Sequence, residues 1–538
     1  MEASGGPITK DQTGVETYAL IFAFDESPVT KGLLWVGTDD GLVWISRNSG
    51  GSWENVTPRD MGDFTRISMV EPSHFDAGTA YVAANRFQLG ERQPIIFKTT
   101  DYGRSWTRIV KGIDPEHFAR VVREDPKRRG LLFAGTERGV YVSFDDGAEW
   151  RPFRRGLPMV PVHDLKIKDR DLIAATHGRS FWVIDDITPL RQIAPAVTQK
   201  SAHLFQPAVA MRTDWGGGFF AMLAMLTGGA GVGTNPPSGA VVQYHLATAH
   251  QVVSLDILDG AGKIVAHFTS DADPATLADS IASVGKPPAM PDFEELFMRA
   301  PRPPRVPNKA GINRFTWDMR YPGAARFDGL IFWAGSTTGP IAPPGRYTVR
   351  LSAPGVTESV PLTIARDPRA DVSDADLKAQ FDLLMAIREK VSEANYAVRT
   401  VRNMRAQLSE RVPKLSGASA DEFKALAGDM GKELSAGEQE IYQVRNQSME
   451  DPLNFPIKLN NQLASLSDMV ASGNYRPTKQ AREAFQSLSA DLAKQTAAIK
   501  QSLDKRLPRL NDILKAAGLP PLVPSTDEVK KPTPKVAM

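Results

Sequence analysis

Short apolar runs separated by polar turns recur three times in the first third of the chain. The clearest copy is Gly130–Trp150, in which two apolar stretches flank the turn TERG and a second turn, FDDGAEW, ends on tryptophan. The stretch Gly32–Trp53 repeats this pattern closely, and Gly78–Trp106 repeats it more loosely. A repeat of about 45–55 residues predicts the four-stranded blades of a β-propeller. A fourth, degenerate copy ends at Asp185 and Asp186 without a closing tryptophan, so about four blades are expected.

The turn that closes each copy has the pattern Ser/Thr-x-Asp/Asn-x-Gly-x-x-Trp. We expect the Asp or Asn side chain to accept hydrogen bonds from turn amides, and the glycine to supply a positive φ. The tryptophan should pack under the turn and tie it to its own blade. This local chemistry predicts a structural role rather than ligand binding. The residues are Ser46, Asn48, Gly50 and Trp53 in the first copy, Thr99, Asp101, Gly103 and Trp106 in the second, and Ser143, Asp145, Gly147 and Trp150 in the third.

The other turns of the propeller carry the candidate site. In a blade, the loop between strands two and three lies on the same face as the start of strand one, away from the closing turns. Acids, arginines and histidines meeting there would suit a polyol, a carboxylated sugar or a peptide terminus. The alternative is that they are solvated turn residues paired with one another. The candidate ligand-binding residues are Arg66, Arg86, Arg120, Glu137, Arg138, His163, His177 and Arg179.

The candidate catalytic residues have less support than the candidate ligand-binding residues. Glycoside hydrolysis needs two carboxyl groups, about 5–5.5 Å apart for retention or 6.5–9.5 Å for inversion. Asp39 or Asp40 with Glu137 are the candidate carboxylates, although they lie on non-adjacent blades. A sialidase-like cluster of arginines is conceivable, but the tyrosine it would need has only Tyr18 as a candidate near an inner strand. We therefore leave the enzyme question open.

The remaining sequence is predicted to form a first strand, a β-sandwich and a group of helices. The first apolar strand, Tyr18–Phe24, should be buried on both faces. Alternating strands over 240–368 predict an immunoglobulin-like β-sandwich, and apolar stripes at three/four spacing over 369–523 predict an antiparallel helical bundle or hairpin. The full set of expected segments is 1–15 as a polar N-terminal segment, 16–190 as propeller, 191–239 as linker and glycine-rich loop, 240–368, 369–523, and 524–538 as a disordered tail.

Composition narrows the function classes. A net charge of +2, with no long basic run, speaks against nucleic-acid binding. The chain has eight histidines and no cysteine, which excludes disulfides, thiolate zinc sites and cysteine nucleophiles. No metal-ligand spacing or cofactor motif is present, so we expect neither metal nor cofactor. The sequence also contains no signal peptide and no apolar segment long enough to span a membrane.

The turns and their surroundings resemble the Asp-box proteins, a group that includes sialidase-type, xyloglucanase-type and sortilin-type propellers. The likeness is strongest to exported bacterial proteins described as glycosyl hydrolases with sortilin-like or Asp-box repeats. It covers nearly the whole chain, including VVREDPKRRGLLFAGTERGVYVSFDDG, GINRFTWDMRYP and EDPLNFPIKLNNQLASL. The resemblance implies a periplasmic or secreted protein with further blades upstream, so this chain would correspond to a C-terminal half.

Two functions follow from these patterns. The first is a binding module: part of an exported multi-domain propeller protein that binds a peptide or a glycan. The second is a glycoside hydrolase whose main catalytic residues lie in a preceding portion. The first is favoured because no catalytic pair is evident. An incomplete ring would expose an apolar blade face, so an upstream propeller polypeptide or a second copy of the chain is the expected partner.

Overall fold

The computed structural model describes residues 19–213, 236–271 and 304–527. The chain is mainly β, with a helical C-terminal region. It divides into two compact units, Met1–Gln199 and Lys200–Met538. Tyr18, the glycine-rich loop within 214–235 and the tail beyond 527 lie outside the described residues.

The first unit contains four consecutive antiparallel sheets, each built in strict chain order. Sheet 1 is β1 (Ile21–Glu26), β2 (Leu34–Thr38), β3 (Val43–Ser46) and β4 (Glu54–Asn55). Sheet 2 is β5 (Arg66–Pro72), β6 (Ala80–Asn85), β7 (Ile95–Thr99) and β8 (Thr107–Arg108). Sheet 3 is β9 (Ala119–Glu124), β10 (Leu132–Thr136), β11 (Gly139–Ser143) and β12 (Arg151–Pro152). Sheet 4 has three strands: β13 (Val162–Lys168), β14 (Asp171–Thr176) and β15 (Phe181–Ile184).

In sheets 1 and 3, a glycine near the end of the second strand lets the next sheet pack closely against it. A Cβ on Gly37 would lie 2.3 Å from the Ile67 side chain in sheet 2. A Cβ on Gly135 would lie 2.5 Å from Val121 and 2.9 Å from Val162 in sheet 4. Both distances are shorter than carbon atoms tolerate, so a larger residue would push the next sheet away. Each apolar core of this unit accordingly combines residues from two consecutive sheets.

The first strand corrects a prediction. Tyr18–Phe24 was expected to be buried on both faces, but β1 exposes Ile21, Phe22 and Phe24. The expected burial requires a neighbouring sheet on each side of the strand. Among the described residues, no sheet precedes sheet 1, so the outer face of β1 is not covered. At the other end, β15 is equally open, and Phe181 is 75% exposed.

The predicted linker is also corrected where the structure describes it. Residues 188–212 form regular elements: helices α1 (Thr188–Gln192) and α2 (Pro195–Thr198), and strands β16 (Ala202–Leu204) and β17 (Ala210–Arg212). Ala202, Leu204 and Ala210 of the predicted linker are buried in an apolar core of the second unit. The segment is therefore bound into the fold, and the proline and alanine content indicated short helices rather than a free linker.

The second unit begins with two β-sheets around one core. The strands are β18 (Ala240–Leu246), β19 (Ser254–Leu258), β20 (Ile264–Thr269), β21 (Gly311–Trp317), β22 (Gly345–Ala353) and β23 (Val356–Arg366). One sheet has the order β16-β18-β21, and the other has the order β17-β23-β22-β19-β20. All pairs are antiparallel except β17 with β23, which is parallel. Inward-facing residues of both sheets form a single apolar cluster that includes the fully buried Trp317.

Within the described part of this unit, four helices follow the strands: α3 (Asp374–Arg411), α4 (Ala418–Ile441), α5 (Leu459–Ala471) and α6 (Lys479–Ala516). The hydroxyl of Ser373 accepts a hydrogen bond from the Asp376 amide, as expected for the start of α3. One apolar cluster contains the buried faces of all four helices, so the predicted stripes form a core rather than a free surface. The sheets and the helices both lie within the second compact unit, and each group has its own apolar cluster.

Candidate functional site

The three closing turns share one hydrogen-bond pattern. The first hydroxyl accepts a bond from the glycine amide at 2.9 Å in every copy. The Asp or Asn accepts a bond from the amide four residues later at 2.9 to 3.0 Å. The three glycines have φ of 88°, 82° and 85°, a region that other residues adopt at a cost. These contacts satisfy the turn internally, which supports the structural role predicted for it.

The tryptophans differ from the prediction in what they contact. Trp106 Nε1 donates to the carbonyl of Val56 in the segment after sheet 1, at 2.7 Å. Trp150 Nε1 donates to the carbonyl of Ile109 in the segment after sheet 2, at 2.8 Å. Each tryptophan therefore ties its turn to the preceding sheet rather than to its own. Trp53 has no preceding sheet among the described residues, and it is 41% exposed.

The opposite edge of the four sheets is organised as the strand pattern predicted. There, the turn between the second and third strands of a sheet bonds to the residue just before its first strand. The amide of Asp39 donates to the Leu20 carbonyl at 3.1 Å, and the amide of Glu137 donates to the Phe118 carbonyl at 3.1 Å. The amide of His177 bonds to Pro161 in the same way. These turns and first-strand starts share one edge.

Two arginines and three phenylalanines meet on this edge, and we call Phe22, Arg66, Phe87, Phe118 and Arg120 the aromatic–arginine surface. The Arg66 guanidinium lies 4.9 Å from the Phe22 ring centre and 5.9 Å from that of Phe87. The Arg120 guanidinium lies 5.3 Å from Phe87 and 4.9 Å from Phe118. Phe87 and Phe118 stack with ring centres 5.2 Å apart. Two cations thus flank one phenyl ring, within the distance at which the ring face attracts positive charge.

Glu137 and two histidines adjoin this surface. The carboxylate of Glu137 accepts hydrogen bonds from Arg120 Nε at 2.9 Å and Nη2 at 2.7 Å. The rings of His163 and His177 stack with centres 5.0 Å apart. Partial desolvation, followed by the positive charge of Arg120, lowers the pKa of His163. The structure therefore brings together Arg66, Arg120, Glu137, His163 and His177.

Arg66 differs from Arg120 in its partners. Among the described residues, Arg66 has no carboxylate partner, and its buried Nε has no hydrogen-bond acceptor. The side chain is half-buried on β5. Guanidinium groups with donors of this kind can pair with a carboxylate or a phosphate.

The remaining predicted ligand residues take other roles. Arg86 pairs with Glu91 at 3.0 Å. Arg138 lines a separate small pocket of about 50 Å³. Arg179 is exposed, and its carbonyl accepts a hydrogen bond from Trp182 Nε1 at 2.9 Å. Among the described residues, the side chains of these three arginines form no cation–π contact with the phenylalanines of the aromatic–arginine surface.

The predicted catalytic carboxylates are engaged locally. Asp39 Oδ1 accepts the Leu20 amide at 2.8 Å, and Asp40 accepts the hydroxyl of Thr38. Glu137 is held by Arg120, as described above. Each of these carboxylates thus has a hydrogen-bond donor within its own sheet.

A second cluster lies at the far ends of the first strands, and sequence reasoning missed it. We call Asp25, Glu71, His74, Arg123 and Glu124 the carboxylate pocket; they line a cavity of about 160 Å³. The signal was present in the sequence, because each of the first three copies ends its first strand on an acid: FDES, VEPS and REDP. The repeat of acids at one strand position went unrecognised, since the acids are not spaced as a known motif.

Arg123 joins three sheets within this pocket. Its Nη1 donates to Glu71 at 2.6 Å, its Nη2 to Asp164 at 3.0 Å, and its Nε to the Leu165 carbonyl at 2.8 Å. Glu71 and Arg123 are nearly buried, so this pair is shielded from solvent. The residues belong to sheets 2, 3 and 4 in turn, which makes Arg123 a link across the unit.

Glu124 is a buried carboxylate, 1% exposed, that accepts hydrogen bonds from residues at the end of sheet 2. It accepts the hydroxyl of Ser73 at 2.6 Å and the amide of His74 at 3.0 Å. The hydroxyl oxygen of Tyr81 lies 3.4 Å from this carboxylate, while its shorter hydrogen bond, 2.7 Å, goes to Asp146. These bonds satisfy the buried charge and connect sheets 2 and 3.

Asp25 and His74 of the pocket both have raised pKa values. Burial, and next the charge of Glu71, raises the pKa of Asp25. The contact of His74 with the Glu71 carboxylate raises the pKa of that histidine. The pocket therefore favours bound protons on both groups, and its saturated internal bonding is consistent with a structural network.

Over residues 19–213, 236–271 and 304–527, no group of three or more His, Asp or Glu side chains is arranged to hold a metal ion. Within the same residues, no helix combines the length and apolar character required to cross a bilayer.

Comparisons with known proteins yield fold likeness alone. No family model matches the sequence, and no curated protein matches it. Among solved structures, YCF48 from Cyanidioschyzon merolae is 19% identical over 31% of this chain and 54% of that chain, with a TM-score of 0.25. The structure of YCF48 bound to D1 peptide gives 19% identity over 31% and 52%, with the same TM-score. The GH74 xyloglucanase from Xanthomonas campestris gives 16% identity over 48% and 39%, also at 0.25.

These matched structures are propeller proteins. The chain spans about half the length of the YCF48 structures. The matches include both a peptide-bound protein and a glycoside hydrolase, and we draw no functional conclusion from likenesses at these TM-scores.

Proposed function

We propose that the first unit consists of four blades of an Asp-box propeller, followed by an immunoglobulin-like β-sandwich and a helical bundle. The strand order within each sheet and the shared bonding of the three closing turns support the blades. The common core of the two sheets in 202–366 supports the sandwich. The parallel pairing of β17 with β23 is an addition to the pattern expected from sequence.

The function that the geometry supports best is binding of a carboxylate-bearing ligand, an acidic peptide or an acidic glycan, on the aromatic–arginine surface. The observation that carries this proposal is Arg66, held between Phe22 and Phe87 without a carboxylate partner among the described residues. A ligand carboxylate would pair with Arg66, while an apolar or sugar face would lie against the exposed part of Phe22 or Phe87. Arg120 adds positive charge but already holds Glu137.

Glycoside hydrolysis is the alternative function, and the geometry supports it less. It would require two carboxyl groups free to act as acid and as nucleophile or base. Asp39, Asp40 and Glu137 each accept hydrogen bonds within their own turns or strand pairs. We therefore propose a non-catalytic role for the chain.

Binding of acidic polymers tests this function. With fluorescence or calorimetric titration of the full chain, we expect poly-glutamate peptide or polygalacturonate to bind, and neutral xyloglucan to bind at least about tenfold more weakly. Arg66→Gln removes the charge but keeps a polar side chain, and it should weaken binding by about tenfold or more. Which of the two acidic polymers binds identifies the ligand as peptide or glycan.

A matched control is available in Arg104, an exposed arginine of the second closing turn. Arg104→Gln makes the same change of charge on the opposite edge and should leave binding unchanged. Failure of both acidic polymers to bind, or equal losses in the two variants, would contradict the proposed site. Cleavage of xyloglucan by the wild-type chain would instead establish the hydrolase.

We further propose that the protein acts in the periplasm or outside the cell and that another polypeptide covers its open sheet faces. The exposed apolar residues of β1 and of β15 support a partner, which could be a further propeller segment or a second copy of the chain. Sedimentation of the purified chain checks this: self-association that Phe24→Ser abolishes indicates a second copy, and a strictly monomeric species argues against one.

A further inference from the structure

A small cavity lies beside β11 in the first unit. It measures about 50 Å³, which is enough for about three water molecules. This volume suits one phosphate or carboxylate group rather than a whole sugar. The lining combines polar and positively charged side chains with an apolar wall, and we call it the tyrosine–arginine pocket. The residues that matter for its chemistry are His117, Arg138, Tyr141, Arg154, Leu157 and Met159.

Tyr141 and His117 form the buried part of the pocket. Tyr141 is 5% exposed and His117 is 9% exposed, and their rings meet edge to face with centres 6.0 Å apart. Nδ1 of His117 lies 2.8 Å from the phenol oxygen, and the Asp114 amide donates to the same oxygen at 3.4 Å. When Nδ1 carries the imidazole proton, both neighbours donate to this oxygen, so the proton of the phenol itself is left for a ligand.

The electrostatic surroundings keep this phenol protonated. Burial raises the pKa of Tyr141, while the charge of Arg154 opposes that rise. The hydroxyl is therefore a neutral donor at physiological pH, and the guanidinium of Arg154 is near enough to act on it. The carboxylate that acts on the same phenol is Asp114, and it already accepts the Glu116 amide at 2.9 Å.

Backbone hydrogen bonds fix the positions from which the two arginines extend. The Arg138 amide donates to the Thr136 hydroxyl at 3.2 Å, inside the turn between β10 and β11. Arg154 follows Phe153, whose amide donates to the Val140 carbonyl of β11 at 2.7 Å. Among the described residues, neither arginine forms an ion pair with a carboxylate. Both side chains are exposed, so both cations are available to an anion at the pocket.

We propose that the tyrosine–arginine pocket binds an oxyanion, a phosphate or a carboxylate group. The phenol of Tyr141 would donate to one oxygen and Arg154 would pair with another, since guanidinium groups match the geometry of both anions. Arg138 would add positive charge from the turn. Leu157 and Met159 form the apolar wall, and Met159 is 62% exposed, so an apolar part of a larger ligand would extend along it. This site does not depend on the aromatic–arginine surface.

Titration calorimetry of the full chain at constant ionic strength tests the site with phenyl phosphate, benzoate, inorganic phosphate and phenol. We expect saturable binding of at least one of the three anions, and binding of uncharged phenol at least about tenfold weaker. Arg154→Gln removes one cation and should weaken the anion by about tenfold or more. Tyr141→Phe removes only the hydroxyl and should weaken it by about tenfold.

The choice among the anions identifies the source of the bound group. Weaker binding of inorganic phosphate than of phenyl phosphate supports a site for the end group of a larger ligand. Equal binding of these two supports a site for the free ion. Circular dichroism shows whether the variants are folded, and Arg154→Gln changes an exposed side chain, so it tests the pocket even if Tyr141→Phe is unstable.

Arg155→Gln is the matched control, because Arg155 is also exposed and follows Arg154 directly but does not line the pocket. It should bind the anion as the wild type does. The same titrations on Arg66→Gln separate this pocket from the aromatic–arginine surface, and loss of all anion binding in that variant would assign the anion to that surface and contradict the proposal. No binding of any anion, equal binding of phenol, an equal loss in Arg155→Gln, or anion binding that survives both Arg154→Gln and Tyr141→Phe would overturn it.

Discussion

Replacing Trp150 with alanine is expected to destabilise the first unit by about 3–5 kcal/mol, the range measured for buried large aromatics. Trp150 is 2% exposed, and its ring nitrogen bonds to the Ile109 carbonyl. The substitution would empty a space between sheets 2 and 3 and leave that carbonyl without its donor. Hydrogen exchange measured by mass spectrometry resolves the effect, because peptides of β8 and β11 report on this unit separately from 200–538.

Trp53 provides the matched control for that change. It occupies the same position of the first closing turn, yet it is 41% exposed and has no preceding sheet among the described residues. Trp53→Ala should therefore cost below about 1 kcal/mol, as is usual for exposed positions. Equal losses in the two variants would mean that the tryptophan stabilises its own turn, and the link to the preceding sheet would then be unimportant.

The contrast between these tryptophans shows which features the sequence could predict. The turn bonds of Ser143, Asp145 and Gly147 are local, so the eight-residue motif was sufficient to predict them. Trp150 packs against residues of the previous repeat, such as Ile109. No local sequence pattern shows which sheet a side chain will contact. The exposure of Phe22 was missed for the same reason: an apolar run predicts a strand but not the presence of a neighbour that covers it.

The sequence predicted on which edge of the sheets the candidate site lies, but it did not predict all the residues that form the site. Strand order placed the starts of the first strands and the turns such as Glu137 on one edge, and the structure has them there. The contacts of Phe87 with Arg66 and Arg120 depend on a short 3₁₀ turn, Phe87–Leu89, in a loop without periodic pattern. Loop side chains of this kind are positioned by tertiary contacts, which a single sequence does not contain.

Replacing Arg123 with methionine is expected to cost about 3–5 kcal/mol, because the change leaves Glu71 charged and nearly buried without its cation. Methionine keeps much of the volume of the side chain, so the loss reports on charge and hydrogen bonding rather than on a cavity. The effect should extend to β5 and β13 as well as β9, since Arg123 bonds to residues of both neighbouring sheets. Amide exchange in peptides of these three strands measures it.

The double variant Arg123→Met with Glu71→Gln separates the charge from the packing. Removing the orphaned carboxylate should recover part of the loss, so that the two changes together cost less than the sum of the single changes by about 1–3 kcal/mol. Arg104→Met, at an exposed turn position, should stay within about 0.5 kcal/mol of the wild type. A cost below about 1 kcal/mol for Arg123→Met, or strictly additive changes, would mean that the buried pair does not hold sheets 2, 3 and 4 together. The link between these sheets would then rest on the apolar cores that sheet 3 shares with sheet 2 and with sheet 4.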